Sequence, residues 1–178
     1  LQSENHHHDI TRIVRAAVLT VSDRSARGER EDAGGPLIEE IVRSKGWEVI
    51  VYSVVPDDRT AIKNELIRLA DNLEADLILT TGGTGLAARD ITPEATLDVI
   101  DRPVPGMAEA MRSESLKKTP YAMLSRAVCG VRGTSLIVNL PGSPRAVQEC
   151  LEVILPVVPH AVELLRGSVT DCAPPADS

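Results

Sequence analysis

Residues 76–94 read DLILTTGGTGLAARDITPE, and the fold follows from how this stretch is parsed. The apolar run Leu77-Ile78-Leu79 ends in two threonines and then meets a loop with three glycines in four residues, Gly82, Gly83, Thr84 and Gly85. Asp90 follows, and Thr92-Pro93-Glu94 has the composition of a helix start. A strand that passes through a glycine-rich turn into a helix suits an anion such as phosphate. Glycine lets the backbone approach closely and aim N–H groups at the anion, and the helix N-terminus adds partial positive charge. The spacing is neither of the two common phosphate loops: no Lys-Ser/Thr pair follows Gly85, and the dinucleotide pattern of glycines is absent. A tight turn that needs positive φ is the competing reading, and spacing alone leaves both open.

Upstream, Ile13–Val21 (IVRAAVLTV) has the β-rich character of a buried strand. Residues 22–35 (SDRSARGEREDAGG) are charged and unperiodic, which predicts a mobile loop. Leu37, Ile38, Ile41 and Val42 then mark a helix over 33–45 that stops at Gly46. Trp47–Val55 is a second strand, closed by Pro56-Asp57-Asp58, and Ile62, Leu66, Ile67 and Leu69 mark a second helix. With strand 76–80 the order is strand, helix, strand, helix, strand, which implies parallel pairing through right-handed crossovers.

Downstream, a short helix over 93–100, a rigid connector at 102–106 and a helix over 107–117 are predicted. Val128–Val131 and Ser135–Asn139 read as strands joined by a turn at 132–134, a hairpin that would set one strand antiparallel. Pro141-Gly142-Ser143 is a second strand-to-helix turn, and the last helix runs over 145–165 with breaks at Pro156 and Pro159. The prediction is one α/β domain over 12–167, three layers deep with a mostly parallel sheet. Residues 1–11, with His6–His8, and the tail 168–178 are expected to be disordered.

Composition narrows the function. The core must be aliphatic, because the 178 residues include one Trp, two Tyr and no Phe. A net charge of −7 and the shortage of aromatics argue against nucleic acid as a partner. Cys129, Cys150 and Cys172 lack zinc-site or disulfide spacing and fit reduced thiols in a cytoplasmic protein. No signal peptide is expected, and the apolar region Val147–Leu165 carries three glutamates and two prolines, so it is not a membrane span.

Ligands of open parallel sheets bind beyond the carboxyl ends of the strands. Four polar turns fall there: Ser22-Asp23, Asp57-Asp58, Thr81 through Asp90, and Pro141-Gly142-Ser143. Carboxylates beside bound phosphate repel it unless a cation intervenes, and Mg²⁺ is the usual one. Asp58 fits a helix cap better. Asp90 fits a metal ligand and a cap equally well. Arg24, Arg27 and Arg30 could close over phosphates, although neighbouring Glu29, Glu31 and Asp32 favour a solvated loop. No nucleophilic triad is present around Ser25, and His160 fits a structural role or a subunit contact.

The stretches LTVSDR (19–24), VPDD (55–58), TTGGTGLAARDITPEAT (80–96), PGMAEAMR (105–112), TPYAMLSRAVCG (119–130) and NLPGSP (139–144) resemble the molybdopterin adenylyltransferase family, the Mog/MoaB-type proteins of molybdenum cofactor biosynthesis. The resemblance runs over residues 13–166. It implies a homotrimeric enzyme that adenylylates molybdopterin with Mg-ATP, releases pyrophosphate and hands its product to a molybdenum-insertase protein. It further implies Asp57 and Asp90 as the acids of activity and metal binding. Ser22, Asp23, Gly82, Gly83, Thr84 and Gly85 would serve the nucleotide, and Ser113, Ser125, Arg126, Pro141, Gly142 and Ser143 the pterin. Ser143 stands where the family more often has Asn, another hydrogen-bonding side chain. A non-catalytic pterin- or nucleotide-binding paralogue is the alternative.

Overall fold

The computed structural model describes residues 13–167, so the expectations for residues 1–11, for the tail 168–178 and for Cys172 lie outside the described residues. In chain order the elements are β1 (Arg15–Val21), α1 (Asp23–Ala26), α2 (Gly34–Ser44), β2 (Glu48–Val55), α3 (Arg59–Ile67) and β3 (Leu77–Thr81). Then come α4 (Thr92–Val99), β4 (Arg102–Pro103), α5 (Pro105–Leu116), β5 (Cys129–Arg132), β6 (Ser135–Leu140), α6 (Pro144–Ile154) and α7 (Val158–Arg166). They build a six-stranded sheet in the order β2-β1-β3-β6-β5-β4. β1 runs parallel to β2 and β3, and β3 parallel to β6. β5 runs against both of its neighbours, as the predicted hairpin requires. Its turn is Gly133-Thr134, with Gly133 at φ +56.

Covering both faces of the sheet explains why β1 and β3 are apolar without alternation. Ala16 and Val18 of β1 point into one core with Ile38 and Val42 of α2, Met111 of α5 and Leu151 of α6. Ala17, Leu19 and Val21 point into the other, against Ile62 and Leu66 of α3 and Ala95 and Val99 of α4. The result is the expected three layers, with cores built almost wholly from Val, Ile, Leu and Ala. Of residues 153–165, Ile154, Leu155, Val158 and Val162 are buried in the first core, while Val157 is exposed.

The differences from the predicted elements are local. Residues 22–35 hold a four-residue helix, α1, capped by Ser22, before α2 begins at Gly34. α5 starts at Pro105, two residues before the predicted Met107, because Pro at the first helical position needs no N–H partner. Arg102-Pro103, read as a connector, pairs with Val131 and Gly130 as an edge strand. The break in the last helix falls as predicted, with a 3₁₀ turn over Leu155–Val157. Asp58 is the expected cap of α3, accepting from the Ala61 N–H at 2.8 Å.

One buried polar residue ties the layers together under the glycine loop. The amide of Asn139, fully buried on β6, donates to Thr80 Oγ1 of β3 at 3.1 Å and to Thr96 Oγ1 of α4 at 3.0 Å. Its Oδ1 accepts from the Val128 N–H at 3.1 Å. Asn139→Ala removes all three hydrogen bonds at once and is expected to destabilise the protein by about 2–3 kcal/mol, read as a lower urea midpoint at unchanged m.

Candidate functional site

β1 connects to β2 over one face of the sheet, and β2 connects to β3 over the other, so β1 and β3 are neighbours whose onward connections diverge. A crevice opens at such a switch point, beyond the carboxyl ends of the strands. Here those ends are Val21-Ser22, Thr81-Gly82 and Leu140-Pro141, with Val55-Pro56-Asp57 on the outer side.

The glycine loop is shaped by close contact with its surroundings. Gly82 and Gly83 adopt φ of +97 and +70, values that L side chains rarely adopt. A Cβ on Gly82 would sit 2.4 Å from the Val21 carbonyl oxygen, and one on Gly83 2.3 Å from Thr92 Oγ1. The Thr92 hydroxyl donates to the Gly82 carbonyl at 2.9 Å, and its N–H to that of Gly83 at 3.1 Å, which joins the loop to the start of α4. The Thr81 hydroxyl donates to the Pro141 carbonyl at 2.7 Å, binding the two glycine turns to each other. Among the described residues, the N–H groups of Gly83, Thr84, Gly85 and Gly142 have no protein acceptor, and each of the four residues lines a hollow.

The loop is a wall between two hollows. On one side a polar cleft of about 220 Å³ is lined by Ser22, Asp57, Gly82, Gly83, Asp90 and Gly142, and also by Arg30 and Asp32. On the other a largely apolar pocket of about 290 Å³ is lined by Thr84, Gly85, Met111, Leu124, Ser125 and Pro141. The four residues assigned as one nucleotide loop therefore divide, two to each hollow, and Pro141 and Gly142 divide in the same way.

The carboxylates are arranged unequally. Asp23 and Asp57 exchange backbone-to-carboxylate hydrogen bonds, both at 2.9 Å, and Arg89 grips Asp23 with two more at 2.9 Å. The Arg89 hydrogen bond holds the Asp23 carboxyl below its ordinary range. Burial pushes the Asp57 carboxyl above its range, and the nearby charges of Asp23 and Asp90 push the same way. Asp90 Oδ2 accepts from the Ala87 N–H at 3.0 Å within its own turn. Among the described residues Asp57 Oδ1 and Asp90 Oδ1 have no donor, and both residues line the polar cleft.

The remaining assigned residues scatter. Ser22 and Ser143 cap α1 and α6 through their hydroxyls. Ser113 lies on the exposed flank of α5 and lines neither hollow, and Asp23 is turned towards Arg89. Arg126 points away from the apolar pocket and into the glycine loop, donating to the carbonyls of Gly85 and Asp90, each at 2.8 Å.

Four participants were not singled out from the sequence: Asp32, Tyr52, Arg89 and Arg112. Asp32 accepts from the N–H groups of Gly34 and Gly35 at the start of α2, from the Thr20 hydroxyl at 2.6 Å, and from the Tyr52 hydroxyl. Burial, with the Asp32 hydrogen bond adding to it, pushes the Tyr52 phenol up to about 12. An acid just ahead of Gly34-Gly35 was the available signal, since it can cap a helix that opens on glycine.

The model of a family described as a probable molybdopterin binding domain matches residues 17–160. The chain belongs to this family. Among its relatives, a molybdopterin adenylyltransferase of Helicobacter pylori (strain J99) is 44% identical over 157 residues, 87% of this chain and 89% of the relative. A molybdopterin adenylyltransferase of Escherichia coli (strain K12) is 39% identical over 175 residues, 90% of each chain. In the crystal structure of the molybdopterin biosynthesis enzyme MoaB from Thermus thermophilus, the match is 54% identical with a TM-score of 0.82, covering 87% of this chain and 98% of that one.

Proposed function

We propose that this chain is a molybdopterin adenylyltransferase of molybdenum cofactor biosynthesis, joining the adenylyl group of ATP to the phosphate of molybdopterin and releasing pyrophosphate. The observation that carries the chemistry is the pair of hollows separated by one glycine loop, one polar and acidic, the other apolar. The polar cleft, with its open amides, takes the nucleotide phosphates, and the apolar pocket takes the flat pterin. The attacking group is already an anionic phosphate, so no general base is needed. The open amides of Gly83 and Gly85 are placed to steady charge on the transferred group, while the walls hold the two phosphates in line.

Asp57 and Asp90 are the metal ligands in this reading. Each keeps one carboxylate oxygen without a donor, and burial with like charges makes ionised Asp57 costly until a cation arrives. Two hard oxygen donors fit Mg²⁺, which completes its shell with water and substrate phosphate rather than with a protein cage. Bound there, Mg²⁺ supplies charge neutralisation between the two anionic substrates.

The enzyme works in the cytoplasm as a homotrimer and passes its product to a molybdenum-insertase protein. Among the described residues no helix is long and apolar enough to cross a membrane. Incubating the protein with molybdopterin and Mg-ATP should yield adenylylated molybdopterin and pyrophosphate, and chelation with EDTA should stop both. Binding of molybdopterin without pyrophosphate release in the presence of Mg²⁺ would instead identify a non-catalytic paralogue.

A further inference from the structure

Arg126 lies in the segment that walls the apolar pocket, between Ser125 and Ala127, yet its side chain leaves that pocket altogether. Its Nε donates to the Gly85 carbonyl and its Nη2 to the Asp90 carbonyl, both at 2.8 Å, and its Nη1 pairs with the Glu94 carboxylate. Its own N–H donates to the Thr84 carbonyl at 2.9 Å. One residue therefore holds both ends of the turn 84–90, the turn that presents Asp90 to the cleft. Arg112 of α5, which lines the apolar pocket, donates to the Ala127 carbonyl at 2.9 Å and ties the 125–127 segment to that helix. The contacts form one line, from α5 through 125–127 to the metal-side carboxylate.

Glu94 completes the brace. One of its oxygens is buried with no hydrogen bond, and the Arg126 hydrogen bond holds its carboxyl below the ordinary range. The Arg126 side chain is two-thirds shielded, and its hydrogen bonds all go to protein groups. Its planar fork spans two carbonyls and a carboxylate at once, which an ammonium on a flexible stem does not reproduce.

We propose that Arg126 is a positioning residue: it fixes the open amides of the glycine loop and the carboxylate of Asp90 relative to the wall of the apolar pocket, so that the two substrates meet at a set distance. The catalytic part of this inference rests on the adenylyl-transfer reading above, whereas the structural part does not. The test compares Arg126→Gln and Arg126→Lys with a control, Arg132→Gln. That control removes a similar three-bond clamp, to Asp71 and the Val99 carbonyl, remote from both hollows. Hydrogen exchange of the Ala87 and Asp90 amides, which are hydrogen-bonded within the turn, is measured on each protein without ligands, and kcat and KM are measured with Mg-ATP and molybdopterin.

Arg126→Gln should raise exchange of the Ala87 and Asp90 amides at least about 10-fold over wild type, and the control should not. Its kcat should fall about 100-fold, with smaller changes in either KM, because the groups remain but are misplaced. Arg126→Lys should resemble Arg126→Gln in both readings. Full rescue by Lys would reduce the role to charge and overturn the brace, and so would Arg126→Gln behaving like the control. Faster exchange at Ala87 and Asp90 in the variant of a protein that transfers no adenylyl group would uphold the brace and reject the activity.

Discussion

Asp57→Asn is expected to cut turnover by at least about 100-fold while leaving the metal-free protein as stable as wild type or more so. The two halves come from the same geometry. The isosteric amide keeps an oxygen to accept the Asp23 N–H, so the link between the ends of β1 and β2 survives. What disappears is a negative charge that burial and the neighbouring Asp23 and Asp90 disfavour. The sign is fixed by the direction of the shift. A carboxyl whose folded-state pKa is raised stabilises the fold fully only below its unfolded value, and that contribution is lost as pH rises through the folded value. At neutral pH the native chain bears this cost, and the amide removes it. Melting in EDTA at pH 7 checks the stability, and pyrophosphate release with Mg-ATP and molybdopterin checks the turnover. A variant that loses stability in step with turnover would show that the carboxylate serves the fold.

Gly82→Ala should be the most damaging single methyl in the site. Two independent penalties coincide there: φ of +97, and a Cβ 2.4 Å from the Val21 carbonyl oxygen, a backbone atom that no rotamer change can move. Relief requires the ends of β1 and β3 to separate, which opens the crevice at its root. A loss of about 3 kcal/mol in unfolding free energy is expected, with near-complete loss of activity in the fraction that stays folded. Gly106→Ala, at a position where a Cβ would meet nothing within 4 Å, is the matched control and should be close to neutral in urea melts.

The outlines of this molecule were legible because the information was local. Leu77–Leu79 and Ala16–Leu19 are continuous apolar runs because both faces of their strands are covered, and VPDD announces a strand end wherever it is placed. Asp57 and Asp90 could be singled out from their position at turns. The bracing of the site was not legible. Asp23 and Arg89 are 66 residues apart and Arg126 is 41 from Gly85, and no short-range pattern reports such pairings. The helix α1 escaped for a different reason, since four residues are too few to display a period. The division of Gly82–Gly85 between two hollows escaped as well, because which way each residue of a turn faces depends on what packs behind it, here Thr92 and Arg126.

That division has a consequence for how the site can vary. The partition between the hollows is a single peptide thick, so neighbouring residues such as Gly83 and Thr84 serve opposite chambers through shared atoms. Changes on the two sides should not sum: a paired substitution at 83 and 84 will depart from the total of its singles, as expected for residues joined through one backbone. Affinity for one ligand cannot be retuned there without disturbing the other, and separate adjustment falls to exposed residues that line one hollow alone, Leu124 on one side and Arg30 on the other.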